Sequence, residues 1–296
     1  NLNYYITLFN HLIREKYDEI KCTVVENNET GMKINENPIF YEIIDDDLPY
    51  HNIQQIWTSD RIEYTFSQEN KIHYEKLLYE TFKYKEFRKG QLEIISNIVQ
   101  STNKQVNIAI LPTGYGKSLI YQFMAILQPM KTIIISPTEI LLYDQITNLH
   151  ENQFDLVSVL DKNRTTEESI INYSTTENFL HEKMLNYLET LDKNNEIFNV
   201  VLDECHYISV WGHSFNPGYL ALSKAIIEKI KNAQITMFTA TASNVVLKDI
   251  KLQFKEKEIK VMSPVSLNRG NIQYNIIKGD NIESLTQNVI KVFENS

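Results

Sequence analysis

The stretch VNIAILPTGYGKSLIYQFMAIL, residues 106–127, decides the fold class of this chain of 296 residues. Its first six residues have the apolar pattern of a buried strand, and its last eleven have the pattern of a helix. The turn PTGYG between them contains two glycines, which permit backbone conformations that other residues rarely adopt. A buried strand that leads through a glycine-rich turn into a helix is typical of an α/β sheet.

The alternation of strand and helix patterns continues along the chain. Further apolar runs of strand length are KTIIIS (131–136), LVSVL (156–160), NVVLD (199–203), QITMFT (234–239) and EIKVM (258–262). Helical patterns between these runs predict right-handed βαβ units and a mostly parallel sheet flanked by helices. In such sheets ligands bind beyond the carboxyl ends of the strands, where the loops of this chain carry Gly, Thr, Asp and Glu residues.

Residues 1–72 have a different pattern from the rest of the chain. The segment opens with apolar residues at helical spacing, namely Tyr5, Leu8, Phe9, Leu12 and Ile13. Short apolar runs follow at 22–25 and 39–44, with polar loops between them. We therefore expect a small α+β extension at 1–72 and an α/β domain at 73–270. The role of the extension is open, and docking of a protein partner is one option.

Composition and charge exclude several classes of protein. Hydrophobic residues make up 43% of the chain and charged residues 23%, which excludes a disordered or fibrous protein. The formal net charge of −9 argues weakly against nucleic-acid binding but leaves room for a local basic groove. No apolar run approaches the length of about 18 residues that spans a membrane, so no membrane partner is expected. Cys22 and Cys205 have no CxxC spacing, which predicts a reducing intracellular compartment, taken to be the cytoplasm.

The turn at 111–118, LPTGYGKS, has the residues of a phosphate-binding loop. Gly114 and Gly116 allow successive backbone N–H groups to face phosphate oxygens, and the following helix N-terminus attracts anions. Lys117 is expected to reach the β- and γ-phosphates, and Ser118 to place its hydroxyl on Mg²⁺. Leu111 replaces the first glycine of the strict motif, and a plain glycine turn with an exposed lysine is the alternative. The residues predicted to bind nucleotide here are Thr113, Gly114, Tyr115, Gly116, Lys117 and Ser118.

An acidic pair follows a second buried strand, in NVVLDECH at 199–206. A phosphate loop needs an acid at the end of a nearby strand to hold Mg²⁺, and a group that orients the attacking water. Asp203 fits the first role, and Glu204 fits the second as general base. The alternative is helix capping. Together with the glycine loop, the pair predicts hydrolysis of a nucleoside triphosphate, with ATP and Mg²⁺ as cofactors.

Several ordered motifs, from about residue 74 to 274, resemble those of superfamily 2 helicases and specifically of the RecQ family. The resembling segments are YETFKYKEFRKGQ (79–91) for adenine recognition, LPTGYGKSLIYQ (111–122) for motif I, ISPTEILLYDQ (135–145) for motif Ia, YSTTENFL (173–180) for motif Ib, DECH (203–206) for motif II and MFTATAS (237–243) for motif III. The resemblance implies a RecA-like domain with a DExH box that acts as an ATP hydrolase and DNA helicase.

The resemblance also implies a role for individual residues around the nucleotide. Gln91 would hydrogen-bond the adenine edge through its amide donor and acceptor, and Arg88 and Tyr84 would flank the ring. The catalytic set would consist of Lys117, Asp203, Glu204 and His206. In this set His206 would link the ATP site to motif III, where Thr239 and Thr241 would couple hydrolysis to movement.

The resemblance implies nucleic-acid contacts in motif Ia, and two positions in other segments depart from the family pattern. Ser136 and Thr138 in motif Ia would touch the backbone of single-stranded DNA. In motif Ib, Thr176 stands where the family usually has proline, and Lys89 replaces another common proline ahead of the phosphate loop.

The segment CHYISVWGHSFNPGY, at 205–219, resembles the aromatic-rich loop that follows motif II in RecQ enzymes. Trp211 and Phe215 would offer faces for stacking on DNA bases, at about 1–3 kcal/mol per base, with His213 between them. Core packing is the alternative for the aromatic residues. The usual Gln, Asp and Arg of this loop are replaced by Val210, Ser214 and Asn216, so DNA affinity or its coupling to ATP is expected to differ from that of typical members.

The segment SPVSLNRGNIQYNI, at 263–276, resembles the linker to a second RecA-like domain. We therefore expect 271–296 to be the start of that linker and domain, and the chain, which lacks an initiator methionine, to be the first motor half of a longer enzyme. A second RecA-like domain supplies arginine fingers worth about 10³–10⁵ in rate, so the isolated chain is expected to be poorly active. The expected partners are this domain and single-stranded or duplex-junction DNA, in the bacterial case at the nucleoid.

Two other functions remain open at this stage. One is a nucleotide-gated nucleic-acid-binding or scaffold subunit without turnover of its own. The other is an RNA-acting DExH ATPase, because contacts to the 2′-hydroxyl cannot be read from the sequence.

Overall fold

The computed structural model describes most of the chain from residue 71 onwards and three short strands before it. Side chains and backbone are described for residues 64, 66, 71–128, 130–152, 154, 156–162, 169–209, 217–241, 243–266 and, with few exceptions, 282–294; the backbone alone is described for 24–26, 33–35 and 41–42.

From residue 91 to residue 262 the described strands are mostly separated by helices, as the sequence predicts from residue 73 onwards. The strands are β1 (Val24–Glu26), β2 (Lys33–Asn35), β3 (Tyr41–Glu42), β4 (Gln105–Ile110), β5 (Lys131–Ser136), β6 (Val157–Val159), β7 (Ile171–Thr175), β8 (Ile197–Leu202), β9 (Gln234–Thr239) and β10 (Glu258–Met262). The helices are α1 (Lys71–Phe82), α2 (Gln91–Val99), α3 (Lys117–Ile126), α4 (Glu139–Glu151), α5 (Thr176–Phe179), α6 (Glu182–Lys193), α7 (Pro217–Lys229), α8 (Asn244–Gln253) and α9 (Ile282–Glu294). None of the helices in the described residues is long and apolar enough to span a membrane.

The first three strands form a small antiparallel sheet in the order β1-β2-β3. Val25 pairs with Ile34, and Ile34 pairs with Tyr41 on its other side. The apolar runs at 22–25 and 39–44 thus each contribute residues to a strand, while β2 was not predicted. The predicted helix at residues 5–13 lies outside the described residues.

The main sheet has seven strands in the order β10-β4-β9-β8-β5-β7-β6, and all its pairs are parallel. The prediction of a mostly parallel α/β sheet is therefore confirmed. Strand β7 was missed because three of its five residues, Asn172, Ser174 and Thr175, are polar. Asn172 of β7 lies inside the protein and accepts hydrogen bonds from Ser158 at 3.0 Å and Ser169 at 2.6 Å, so its polar group is satisfied without water.

The two faces of the sheet contribute to two separate hydrophobic cores. Successive side chains of a strand alternate between faces, so Ile134, Val201 and Phe238 pack with α1–α4. Their neighbours in sequence, such as Ile133 and Val200, pack with α6, α7 and α8 on the other side. Burial on both faces explains why these strands are almost continuously apolar.

The contacts of the chain divide it into two compact units, Asn1–Val265 and Ser266–Ser296. The first contains both sheets, and the second contains α9, whose apolar residues Ile282, Leu285 and Ile290 are exposed. The domain boundaries drawn from the sequence after residues 72 and 270 remain predictions.

Candidate nucleotide-binding site

A cleft of about 450 Å³ lies at the carboxyl ends of β4, β5 and β8. This is the edge at which parallel α/β sheets bind their ligands. Its lining comes from three segments that are far apart in the sequence: Tyr84, Glu86, Arg88 and Gln91; Thr113, Gly114, Gly116, Lys117, Ser118, Leu119 and Tyr121; and Asp203 with Glu204. Ser136, Leu141, Gln145 and Tyr173 complete it. The fold thus brings the predicted adenine segment, phosphate loop and acidic pair to one place.

The phosphate loop has the backbone conformation that its glycines suggest. Gly114 and Gly116 have φ angles of 74° and 85°, in the left-handed region that favours glycine. A methyl group on Gly116 would lie only 2.7 Å from Nε2 of Gln91, so the loop also needs a residue without a side chain there. Helix α3 begins at Lys117, directly after this turn, and its N-terminal N–H groups are available to an anion.

The predicted adenine-binding residues hold the phosphate loop in this structure. Gln91 is buried, and its Nε2 donates to the carbonyl oxygens of Tyr115 at 3.0 Å and Gly116 at 3.3 Å. Its Oε1 accepts from the backbone N–H of Arg88 at 2.8 Å. Binding of an adenine edge would require this amide to exchange those partners for the base.

The Arg88 and Tyr84 side chains differ in how they are held. The Arg88 guanidinium donates to the carbonyl oxygen of Gly114 and lies 5.9 Å from the ring centroid of Tyr115. The hydroxyl of Tyr115 in turn donates to the Lys89 carbonyl at 2.9 Å. Tyr84 is 56% exposed at the edge of the cleft, where its ring is accessible to a base.

Glu204 is the centre of the polar contacts in the cleft. Its Oε1 forms an ion pair with Nζ of Lys117 at 3.0 Å, and its Oε2 lies 3.2 Å from Nδ1 of His206. Burial disfavours the charged form of Glu204, but the hydrogen bond with His206 and the charge of Lys117 outweigh it and lower the pKa of this carboxyl. Glu204 is therefore ionised at neutral pH.

The neighbouring Asp203 has the opposite electrostatic character. Its Oδ1 accepts from the backbone N–H of Glu204 at 3.0 Å, and its Oδ2 accepts from the hydroxyl of Tyr121 at 3.3 Å. Burial, followed by the nearby charge of Glu204, raises the pKa of Asp203 to about 6. A cation bound beside Asp203 would relieve this penalty, because it favours the ionised form.

Ser118 and Asp203 fit a magnesium ion by their chemistry and position. A hydroxyl and a carboxylate are hard oxygen ligands, and both line the cleft. Mg²⁺ in nucleotide sites keeps several waters and takes few protein ligands, the rest coming from phosphates. Two protein oxygens beside a phosphate loop are consistent with that requirement.

The motif III residues contact the acidic pair through His206. Nδ1 of His206 lies 3.0 Å from Oγ1 of Thr239, which accepts from the backbone N–H of Thr241 at 3.1 Å. The contact that the resemblance implies between motifs II and III is thus present. The role of Thr239 and Thr241 in coupling stays a prediction.

The residues predicted to contact DNA are only partly described. Ser136 is buried in the cleft and donates to the Thr138 carbonyl at 3.0 Å. Thr138 is the N-cap of α4, and its hydroxyl accepts from the backbone N–H of Leu141 at 3.3 Å. Trp211, His213 and Phe215 lie outside the described residues. The contacts of Ser136 and Thr138 do not test their predicted role in DNA binding.

Four polar residues at the back of the cleft were given no role from the sequence. They are Tyr121, Gln122, Gln145 and Tyr173, and Tyr121, Gln122 and Tyr173 are almost completely buried. A signal was present, because Gln122 interrupts the apolar helix pattern of α3 and is followed by five apolar residues. Its partners could not be read from the sequence, since they lie 23 or more positions away.

Comparison with known proteins identifies the family of this chain. The family model described as DEAD/DEAH box helicase matches residues 88–250, more than half of the chain. The chain belongs to the DEAD/DEAH box helicase family. The matched range of this helicase domain runs from Arg88, beside the phosphate loop, to Ile250 in α8, and so includes the acidic pair and motif III.

Curated relatives of this helicase domain are RecQ-type DNA helicases, which confirms the resemblance seen in the motifs. The probable ATP-dependent DNA helicase RecS of Bacillus subtilis is 31% identical over 228 residues, 75% of this chain and 45% of that protein. The ATP-dependent DNA helicase RecQ of Bacillus subtilis is 32% identical over 219 residues, 70% of this chain and 36% of that protein. The RecQ-like DNA helicase BLM of Xenopus laevis is 30% identical over 216 residues, 68% of this chain and 16% of that protein. The chain thus spans less than half the length of each of these relatives.

Proposed function

We propose that this chain is the ATP-binding half of the motor of a RecQ-like, ATP-dependent DNA helicase. In this proposal ATP hydrolysis drives movement along single-stranded DNA and unwinding of duplexes. The observation that carries it is the single cleft lined by the glycine loop, Lys117 and the pair Asp203 and Glu204. The relatives that support DNA as the polymer are described as DNA helicases.

The contacts of the cleft suggest how its residues act on a nucleotide. The amides after Gly114 and Gly116 hold phosphate oxygens, and Lys117 leaves Glu204 for the phosphates, to which it is attracted more strongly by charge. Glu204, ionised and released, accepts a proton from the attacking water. Ser118 and Asp203 would hold Mg²⁺, which would supply positive charge against the negative charge that develops on the phosphates.

The proposal assigns the remaining parts of the motor to groups beyond the cleft. A second RecA-like domain, in the same protein or another chain, closes on the nucleotide and supplies cationic residues. DNA contacts are assigned to Ser136 and Thr138, and base stacking to Trp211, His213 and Phe215.

The substitution Lys117→Ala tests nucleotide binding by the 296-residue chain. We expect the affinity for a fluorescent ATP analogue with Mg²⁺ to fall by about ten- to a hundredfold, because charged hydrogen bonds to the phosphates are lost. The matched control is Lys224→Ala, an exposed lysine on α7 that does not line the cleft. Equal affinities of the two variants in a fluorescence titration would exclude this cleft as the ATP site.

The substitution Glu204→Gln tests hydrolysis in the longer protein that contains this chain. We expect nucleotide affinity to be retained and the DNA-stimulated rate of ATP turnover to fall by about 10²–10⁴-fold, since the general base is lost. Steady-state ATPase assays with single-stranded DNA and with RNA of the same sequence measure the rate and the preferred polymer. Wild-type turnover in the variant would disprove the assigned role, and stimulation by RNA alone would favour an RNA-acting ATPase.

A further inference from the structure

A chain of hydrogen bonds runs behind the cleft and ends on Ser118. Nε2 of Gln145 donates to Oγ of Ser118 at 2.7 Å. Gln122 holds this amide in turn, because its Nε2 donates to Oε1 of Gln145 at 3.0 Å and to the hydroxyl of Tyr173 at 2.9 Å. The chain therefore connects α4, α3 and β7 to the hydroxyl that fits a magnesium ligand.

A tyrosine connects the same region to the acidic pair. The hydroxyl of Tyr121 interacts with Ser118 and donates to Oδ2 of Asp203 at 3.3 Å. Burial raises the pKa of both Tyr121 and Tyr173 far above the usual range, so their hydroxyls stay protonated. The two oxygens that fit Mg²⁺, on Ser118 and Asp203, thus both accept hydrogen bonds from side chains that are fixed by packing or by further hydrogen bonds inside the protein.

The buried polar groups of this network each require a hydrogen-bond partner. Gln122 and Tyr173 are buried, where a polar atom must be hydrogen-bonded to avoid a penalty of about 1–3 kcal/mol. Apolar residues of similar shape would fill the same space without that requirement. A fully connected set of donors and acceptors orients its end member, which here is the Ser118 hydroxyl.

The direction of the Gln145 hydrogen bond leaves Ser118 free to bind a cation. A serine hydroxyl has one donor and two acceptor lone pairs. Because Gln145 donates to Oγ, it uses one lone pair, and the second lone pair remains for a metal ion. A freely rotating hydroxyl would bind a cation less tightly, since it must be ordered again each time a cation binds.

We propose that Gln145 is a positioning residue that orients the Ser118 hydroxyl for Mg²⁺, held in place by Gln122 and Tyr173. The inference rests on the proposed nucleotide site and deepens it. It assigns a function to the glutamine of α4, the helix that is capped by Thr138. Gln145 acts through Ser118 and has no role of its own in the chemistry.

The test is the gain in nucleotide affinity that Mg²⁺ provides. Gln145→Met keeps the length of the side chain but removes both the donor and the acceptor. The dissociation constant of the 296-residue chain for a fluorescent ATP analogue is measured with Mg²⁺ and with EDTA. The ratio of the value in EDTA to the value in Mg²⁺ is then compared between the wild type and the variant. We expect the ratio to fall by about two- to tenfold, the value of one hydrogen bond, with the affinity in EDTA unchanged.

A double-mutant cycle with Ser118→Ala distinguishes positioning from a structural effect. If Gln145 acts through Ser118, Gln145→Met has no further effect on the ratio once Ser118 is alanine. Asn148→Met, an exposed change on the same helix, is the matched control and should leave the ratio unchanged. Should Gln145→Met fail to fold, Gln145→Asn keeps the amide but withdraws it from Ser118, and the same loss is expected.

The outcomes separate this inference from the proposed function. If Mg²⁺ gives the wild-type chain no gain in affinity, the proposed nucleotide site itself is wrong. If the wild type shows the gain and Gln145→Met shows the same gain, only the positioning role is overturned. An equal loss of affinity with Mg²⁺ and with EDTA, or additive effects of the two substitutions, also overturns it.

Discussion

Glu204 has a backbone conformation that is unusual for its residue type. Its φ and ψ are both 49°, in the left-handed region, and such positions cost about 1–3 kcal/mol for a residue with a side chain. Lys83 and Asn195 are the other non-glycine residues with positive φ in the described part of the chain, and they follow the ends of α1 and α6, where this conformation is common. Glu204 instead lies beside β8 in the cleft. The strained conformation therefore lies at the site. It turns the chain so that the Glu204 N–H reaches Asp203.

The raised pKa of Asp203 predicts a dependence of stability on pH. Its pKa is about 6 in the folded chain against an ordinary value of 3.8, so the unfolded chain loses this proton first as the pH rises. The free energy of unfolding therefore falls between about pH 4 and pH 6, by up to about 3 kcal/mol for this group, because one pH unit corresponds to about 1.4 kcal/mol. Asp203→Asn should remove the effect and make the nucleotide-free protein more stable than the wild type above pH 6.

Urea unfolding of both proteins between pH 4 and 8 measures this difference. The comparison with Asp203→Asn cancels the contribution of the other carboxyl groups to the pH dependence of stability, because these groups titrate in both proteins. A difference in the free energy of unfolding that stays constant over this range would show that Asp203 titrates near its ordinary value. The same variant should lose most of the gain in nucleotide affinity that Mg²⁺ provides, because an amide oxygen is a weaker ligand than a carboxylate.

At the scale of elements, the turn before α3 depends on its two glycines for different reasons. Nothing lies within 4 Å of the position of a methyl group on Gly114, so Gly114→Ala carries only the cost of positive φ, about 1 kcal/mol. A methyl group on Gly116 meets Nε2 of Gln91 at 2.7 Å and displaces the amide that binds two carbonyls of the loop. We expect Gly116→Ala to cost about 1–2 kcal/mol more than Gly114→Ala in thermal unfolding.

The background Gln91→Ala provides the control for this pair of glycine variants. Once the Gln91 side chain is absent, the two alanine substitutions should have nearly the same cost, because only the positive φ remains. A persistent difference would locate the conflict elsewhere in the loop.

The polar residues of β7, a strand that was not predicted, depend on partners in neighbouring elements. β7 alternates Ile171 and Tyr173 with the polar residues Asn172 and Ser174, a pattern typical of a strand with one solvated face, yet all five of its residues are buried. Each of these two polar residues finds a partner inside the fold, Asn172 in Ser158 and Ser169, and Ser174 in the Leu160 carbonyl at 3.0 Å. The polar residues of β7 are thus compatible with a buried strand only because β6 and its flanking loop supply these groups.

At the scale of the whole molecule, Asp192 connects helix α6 to the end of the sheet opposite the cleft. Its buried carboxylate accepts from the backbone N–H groups of Lys231 and Ala233 at 2.7 Å each and from that of Asn232 at 3.0 Å. These three residues lead into β9, whose carboxyl end carries Thr239 beside the site. The carboxylate thereby replaces water for three donors at once.

We predict that Asp192→Ala lowers the free energy of unfolding by about 2–5 kcal/mol, because three buried N–H groups lose their charged acceptor. Nucleotide affinity of the folded fraction should stay unchanged, since the contact lies at the amino end of β9. Chemical denaturation followed by circular dichroism measures the stability. Asp144→Ala, an exposed change on α4, is the control and should shift it by no more than about 0.5 kcal/mol.

Several strands and both nucleotide-binding motifs could be predicted from local sequence. The apolar runs at 131–136 and 234–239 coincide with β5 and β9, because a strand buried on both faces needs continuous apolar residues. The run at 258–262 coincides with β10, which lies at the edge of the sheet and is only partly buried. The glycine turn and the acidic pair could also be predicted, because each combines a short motif with the strand that precedes it. The carboxyl ends of parallel strands lie at the same edge of the sheet, so the two motifs were expected to be near each other.

Only the tertiary structure decided which groups meet at the cleft. Gln145 and Ser118 are 27 positions apart, Tyr121 and Asp203 are 82 apart, and Gln91 contacts a loop 24 and 25 positions away. Periodicity and composition report on a residue's own element and on its exposure, whereas these hydrogen bonds depend on the order and register of strands in the sheet. Whether a buried amide holds a loop, a base or a magnesium ligand is therefore set by packing, which no local pattern encodes.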